Sequence, residues 1–123
     1  MTGRNAEAQG FAERALKLSR ERKARGYEAW SLRLLGDIFS DPNNFDSEKS
    51  KRYYQEAMSL ADELGMRPLL AHCHSGLGKL YRKTGLEESA KENLKTAVTM
   101  FRDMDMPFWL NKMEDDIQER NKS

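Results

Sequence analysis

The residues best able to do chemistry stand together at His72-Cys73-His74, two imidazoles on either side of a thiol. Imidazole and thiolate are common zinc ligands, and a cysteine beside a histidine is also a nucleophile beside a base, so metal binding and acyl transfer are the readings to weigh. The run lies between Pro68 and Thr84-Gly85, a helix start and a helix stop. On a helix successive side chains diverge by about 100°, so residues two apart cannot face one ion as an i, i+4 pair can. There is no second cysteine and no third histidine. Nor does a nucleophile-elbow glycine pattern surround these residues. Gly76-Leu77-Gly78 lacks the preceding strand and later glycine of a phosphate loop. Packing is the better account of all of them; a metal-dependent enzyme using His72, Cys73 and His74 is a remote alternative, and neither metal nor cofactor is expected.

Charge narrows the partner classes further. Lys17, Arg20, Arg22, Lys23 and Arg25, with Arg14 before them, could touch nucleic-acid phosphates, but Glu13 and Glu21 interrupt the run and no aromatic residue interleaves it. A solvated helix face fits better, and no direct nucleic-acid partner is expected. Twenty-one Lys and Arg against twenty Asp and Glu leave a formal charge of +1, too small to draw the molecule to an anionic membrane. No signal-like segment or run of 18 apolar residues appears. The lone Cys73 forbids an internal disulfide, so a reducing cytoplasm is the expected location.

The 123 residues suit one domain, and 33% charged residues with few Gly and Pro suit exposed helices better than a sheet. Periodicity predicts six helices, over about 5–24, 27–39, 46–64, 68–83, 87–103 and 107–120. Ala8, Phe11, Ala12, Ala15, Leu16 and Leu18 stripe the first, and Gly26 breaks it from the second, which turns Leu32, Leu35, Gly36, Ile38 and Phe39 inward. Asp41-Pro42-Asn43-Asn44 reads as a turn, and Asp46 or Ser47 as the cap of the third helix, which buries Tyr53, Tyr54, Ala57, Met58, Leu60, Ala61 and Leu64 before Gly65 stops it. The fourth aligns Leu70, Ala71, His74, Leu77, Gly78 and Tyr81. The fifth opens on Glu87-Glu88 and buries Ala90, Leu94, Ala97, Val98, Met100 and Phe101. The last sets Met106, Trp109, Leu110, Met113 and Ile117 against Glu114, Asp115, Asp116 and Glu119, a polar-backed cap; Met100, Met104, Met106 and Met113 fill gaps beneath it.

Sliding the chain on itself by 42 residues lays Gly36 on Gly78, Ala29 on Ala71 and Phe39 on Tyr81, and Ala15 on Ala57, Ala8 on Ser50 and Phe11 on Tyr53. At an offset of 40, Ala57 falls on Ala97, Ser50 on Ala90 and Tyr54 on Leu94. The small residues Ala15, Gly36, Ala57, Gly78, Ala90 and Ala97 would then form the seams where paired helices approach closely. Leu77-Gly78-x-x-Tyr81 followed by Gly85, Ala90, Leu94 and Ala97 resembles the tetratricopeptide-repeat signature, and Leu32, Leu35-Gly36, Phe39, Ser50, Tyr54 and Ala57 supply a looser copy. The resemblance covers about 6–117. The pieces ELGMRPLLAHCHSGLGKLYRKTG and MPFWL are also similar to the C-terminal repeat tails of bacterial regulatory ATPases and adenylate-cyclase-like signalling proteins.

That resemblance implies an all-α, tetratricopeptide-like solenoid: a half repeat, two full repeats and a capping helix. It implies a non-catalytic scaffold, in signalling or regulation, whose concave groove holds a peptide or partner protein; the alternative is the interaction module of a DNA-binding regulator. The first helix of each pair lines the groove in this family, which would place Trp30, Arg33, Asp37, His72, Ser75, Lys79, Arg82 and Lys83 against the partner, with Trp30 as anchor. The carboxylate clamp of chaperone-binding members is missing, since Arg33 and Asp37 stand in its place. Lys79, Arg82 and Lys83 favour an acidic, partly apolar ligand. The first helix matches the second member of a pair and has no partner before it, so weak two-fold self-association through it is expected.

Overall fold

The computed structural model describes residues 3–122, with side chains described for 5–115 and for Ile117; the expected outward positions Asp116 and Glu119 lie outside the described side chains. Six helices follow one another: α1 (Gly3–Glu21), α2 (Arg25–Ser40), α3 (Ser47–Leu64), α4 (Arg67–Lys83), α5 (Glu87–Asp103) and α6 (Pro107–Lys122). A short 3-10 turn, Pro42–Asn44, joins α2 to α3, and no strand occurs among the described residues. Each helix packs on its neighbours in the chain, most closely α2 on α3 and α4 on α5, while α2 also touches α4. The fold is an all-α helical repeat.

The turns carry the repeat as plainly as the helices do. Lys23, Gly65 and Asp105 follow each other at offsets of 42 and 40, and all three adopt left-handed backbone, with φ of 58°, 70° and 54°. After each, an amide N–H reaches back to close the preceding helix: Ala24 to Ser19 O at 2.8 Å, Met66 to Ala61 O at 2.8 Å, Met106 to Phe101 O at 2.9 Å. Only the middle position is glycine. This corrects the expectation for the first break. α1 stops at Glu21, three residues short of the expected end, and Gly26 lies inside α2, where a side chain would meet open space. The reversal is made by Lys23 instead. The longer α2–α3 connection is held by two aspartates: the Asp41 carboxylate accepts from Asn43 N–H at 2.9 Å and the Asp46 carboxylate from Lys49 N–H at 3.1 Å.

Two apolar clusters share α4. The first gathers Ala12 and Leu16 of α1 with Leu32, Leu35 and Phe39 of α2, Tyr54, Ala57 and Leu60 of α3, and Leu69, Cys73 and Leu77 of α4. The second joins Ala71 to Leu94, Ala97, Met100 and Phe101 of α5 and Met113 of α6. Close approach within the pairs, and between them, depends on glycine. A Cβ at Gly36 would fall 2.9 Å from the Tyr54 ring, and one at Gly76 only 2.5 Å from it, while a Cβ at Gly78 would fall 2.6 Å from Leu94 Cγ. Ala57, Ala90 and Ala97 are buried at the same seams, whereas Ala15 is half-buried and Ala8 exposed.

Candidate functional site

α2 and α4 are the first helices of the two pairs, and they lie side by side, so residues facing away from α3 and α5 converge between them. There the structure places a cavity of about 340 Å³. Arg33 and Asp37 line it from α2, and His72, Ser75, Lys79 and Lys83 from α4. α6 contributes Trp109, Lys112 and Met113 to the same wall. Arg33, Lys79, Lys83 and Lys112 make four cationic side chains in that lining against the single carboxylate of Asp37. The potential inside is therefore positive although the molecule is close to neutral.

The polar groups are held by specific contacts. The Tyr54 hydroxyl donates to Asp37 Oδ1 from beneath the cavity, and burial, then the Asp37 charge, push its phenol above the usual tyrosine range. Arg33 Nε sits 3.2 Å from Asp37 Oδ2, yet it is buried with no hydrogen bond of acceptable angle. The pair is an ion pair by distance only. Lys83 Nζ donates to Ser40 O at 2.8 Å across to α2. His72 is half-buried, its ring edge-on to Trp109 at 4.5 Å and to Phe101 at 5.1 Å between centroids. Burial, with help from Arg33 and Lys79, pushes its pKa down to about 4, so the imidazole is neutral near neutral pH.

The neighbours of His72 face elsewhere. Cys73 is in the core, its thiol pushed up to about 12 by burial, and His74 Nδ1 lies 3.0 Å from Asn93 Oδ1 on α5. The three side chains point to three different surroundings, as successive positions on a helix must. Among the described residues no three His, Cys, Asp or Glu side chains are grouped to hold an ion. No described helix is long and apolar enough to cross a membrane.

Two of the expected groove residues lie away from this cavity. Trp30 sits in a separate hollow of about 220 Å³ with Tyr27, Ser31, Arg33 and Leu34, and the Arg33 guanidinium lies 5.7 Å from its ring centroid. Arg82 turns toward α5, where it edges a groove of about 710 Å³ floored by Ala90, Leu94, Val98 and Ile117. Each lies at the margin of its helix's inner stripe, where a small rotation decides which neighbour is met. Ser75 is in the lining but buried, its Oγ donating to Met113 Sδ at 3.0 Å. α6 occupies the place a further repeat's first helix would take, so it covers this end of the groove. Trp109 is thus the indole that faces the cavity. The repeat offset of 40 lays Lys112 on the cavity residue His72 but Trp109 on the core residue Leu69, so the sequence held a signal for Lys112 and none for Trp109.

Set beside curated proteins, the chain matches none. Residues 71–104, which run from α4 through α5, match the tetratricopeptide repeat. The matched segment includes the part of the helix pair that supplies His72, Ser75, Lys79 and Lys83 to the cavity.

Proposed function

We propose that the chain is a protein-interaction module whose α2–α4 cavity takes a short acidic segment of a partner protein, with an apolar side chain of that segment resting on Trp109. The supporting observation is the cationic lining, four basic side chains against one carboxylate. A carboxylate entering there meets this concentration of positive charge, and charge-assisted hydrogen bonds are about twice as strong as neutral ones. A role in signalling or regulation is supported by the likeness of the α4 and α6 segments to repeat tails of signalling proteins. Tetratricopeptide repeats generally mediate protein–protein contacts, which supports a binding role over a catalytic one.

The test uses an array of peptides varying in acidity. Wild type should select those combining Asp or Glu with one large apolar residue, and Lys79→Glu and Arg33→Gln should each weaken binding about tenfold or more. Trp30→Phe leaves Trp109 as the only indole, whose emission should then change with ligand. Equal binding by wild type and Lys79→Glu refutes the reading.

A further inference from the structure

The internal repeat provides a control for every position on α1. At the offsets already given, Ala8, Phe11, Ala15 and Leu18 correspond to Ser50, Tyr53, Ala57 and Leu60 on α3, and to Ala90, Asn93, Ala97 and Met100 on α5. On α3 and α5 the preceding helix grips these positions. Ser50 Oγ donates to Gly36 O at 2.7 Å, Tyr53 stacks on Phe39 at 5.9 Å, and Asn93 meets His74. Ala57, Leu60, Ala90, Ala97 and Met100 are buried. On α1 the same four lie open or half-open: Phe11 is 64% exposed and Leu18 46%, whereas Ala12, Leu16 and Ser19, which face α2, are buried. Tyr27, Trp30 and Leu34 of α2 are exposed as well.

The order of sizes along the open stripe points to its occupant. Ala8, Phe11, Ala15 and Leu18 read small, large, small, large, and reversed they read large, small, large, small. Two copies of α1 laid antiparallel about a two-fold axis therefore set each large side chain on a small one, Leu18 over Ala8 and Phe11 over Ala15, in both directions. Facing layers that alternate large and small interdigitate, and an isologous contact of this kind closes as a dimer. We propose that this face of α1 pairs with the same face of a second copy of the chain, in that register. The flanking row Glu7, Arg14, Glu21 then sets Glu7 near Glu21 of the second copy and Arg14 near its own counterpart, like against like. The dimer is weak at low salt for this reason, and added salt strengthens it by screening. None of the residues lining the α2–α4 cavity takes part.

Sedimentation equilibrium of the intact chain over a concentration and salt series tests this. The expected result is a mass rising from 14.2 kDa toward its double, more readily at high salt. Leu18→Glu, at an exposed position, should raise the dimer Kd at least about tenfold with an unchanged thermal melt. The register is tested by size exchange: Ala15→Phe alone sets Phe on Phe and abolishes pairing, and Phe11→Ala with Ala15→Phe restores it. Should Ala15→Phe not fold, disulfide formation in an equimolar mixture of Phe11→Cys and Ala15→Cys chains replaces it, the mixed species predominating. A monomer at every concentration and salt, association unaffected by Leu18→Glu, or like disulfides outnumbering mixed ones would each overturn the proposal.

Discussion

The two helix pairs reach the same backbone arrangement by different chemistry. In α2–α3 the seam carries polar contacts: Gly36 admits the Tyr54 ring, Ser50 bonds the Gly36 carbonyl, and the Tyr54 hydroxyl ends on Asp37. In α4–α5 the corresponding seam is Gly78 against Leu94 with Ala90 beneath, and its nearby polar contact is His74 with Asn93. What the repeat requires is a missing Cβ on one helix and one filling side chain on the other, whether aromatic or aliphatic. The aliphatic version is the one matched as a tetratricopeptide repeat. The aromatic version also ties the core to the cavity, because Tyr54 touches Gly36, Gly76 and Asp37 at once.

That difference makes Tyr54 the place to break the comparison. Tyr54→Ala should cost about 3 to 5 kcal/mol in denaturant unfolding, toward the top of what large-to-small core changes produce, since both helices keep their glycines facing a void. Leu94→Ala leaves a smaller void and should cost less, within about 2 to 4 kcal/mol. If the two costs came out reversed, the aromatic seam would not be the tighter one.

The glycines should show smaller effects that depend on the partner. Gly36→Leu and Gly78→Leu each overpack a seam, for about 1 to 3 kcal/mol in thermal or chemical melts. A Tyr54→Leu background should relieve Gly36→Leu and leave Gly78→Leu unchanged, a coupling that a double-mutant cycle reads directly. No loss from either single substitution would remove the seam from the account of the fold.

The mildest test sharpens the contrast between His72 and its counterpart Trp30. His72 is held at about 4 when folded, mainly by burial, against about 6.5 when unfolded, so the unfolded chain binds more protons between those values. Stability from this group is whole above about pH 6.5, declines as pH falls toward 4, and declines no further below. His72→Phe, which can keep the edge contacts to Trp109 and Phe101, should have a flatter melting temperature over that interval than wild type. Parallel pH profiles for the two chains would mean that the imidazole is solvated in the folded state.

Much of this was legible in the residues. The stripe on α5, most of that on α3, the capping role of Asp46 and the stop at Gly65 follow from periodicity and cap chemistry. On α4, which meets helices on two sides, Leu69, Cys73 and Leu80 are buried where the spacing picks Leu70, His74 and Tyr81, which are only partly covered. What periodicity does not specify is which neighbour a stripe will meet. Phe11 belongs to the apolar face of α1 by spacing, but no described helix is there to cover it. Arg82 and Trp30 sit at stripe margins, and α6 decides that Ser75 is roofed and that Trp109, not Trp30, faces the cavity. Gly76 has no place among the seam residues picked by spacing, and only the position of the Tyr54 ring shows that a side chain there is excluded. Lys23 escaped because a non-glycine residue with positive φ carries almost no compositional mark.

Those left-handed joints at Lys23, Gly65 and Asp105 give the molecule a growth rule. Each closes the preceding helix with the same backed-up amide bond and starts the next two residues later, so every joint offers the incoming helix the same backbone exit. A segment of 40 or 42 residues copied from one joint to the next would arrive with both its ends already compatible, and its contacts would be those of its two neighbours alone. Lengthening such a chain by tandem duplication therefore asks for no new interface, and the reach of its groove can change by whole units while each unit's side chains are tuned separately.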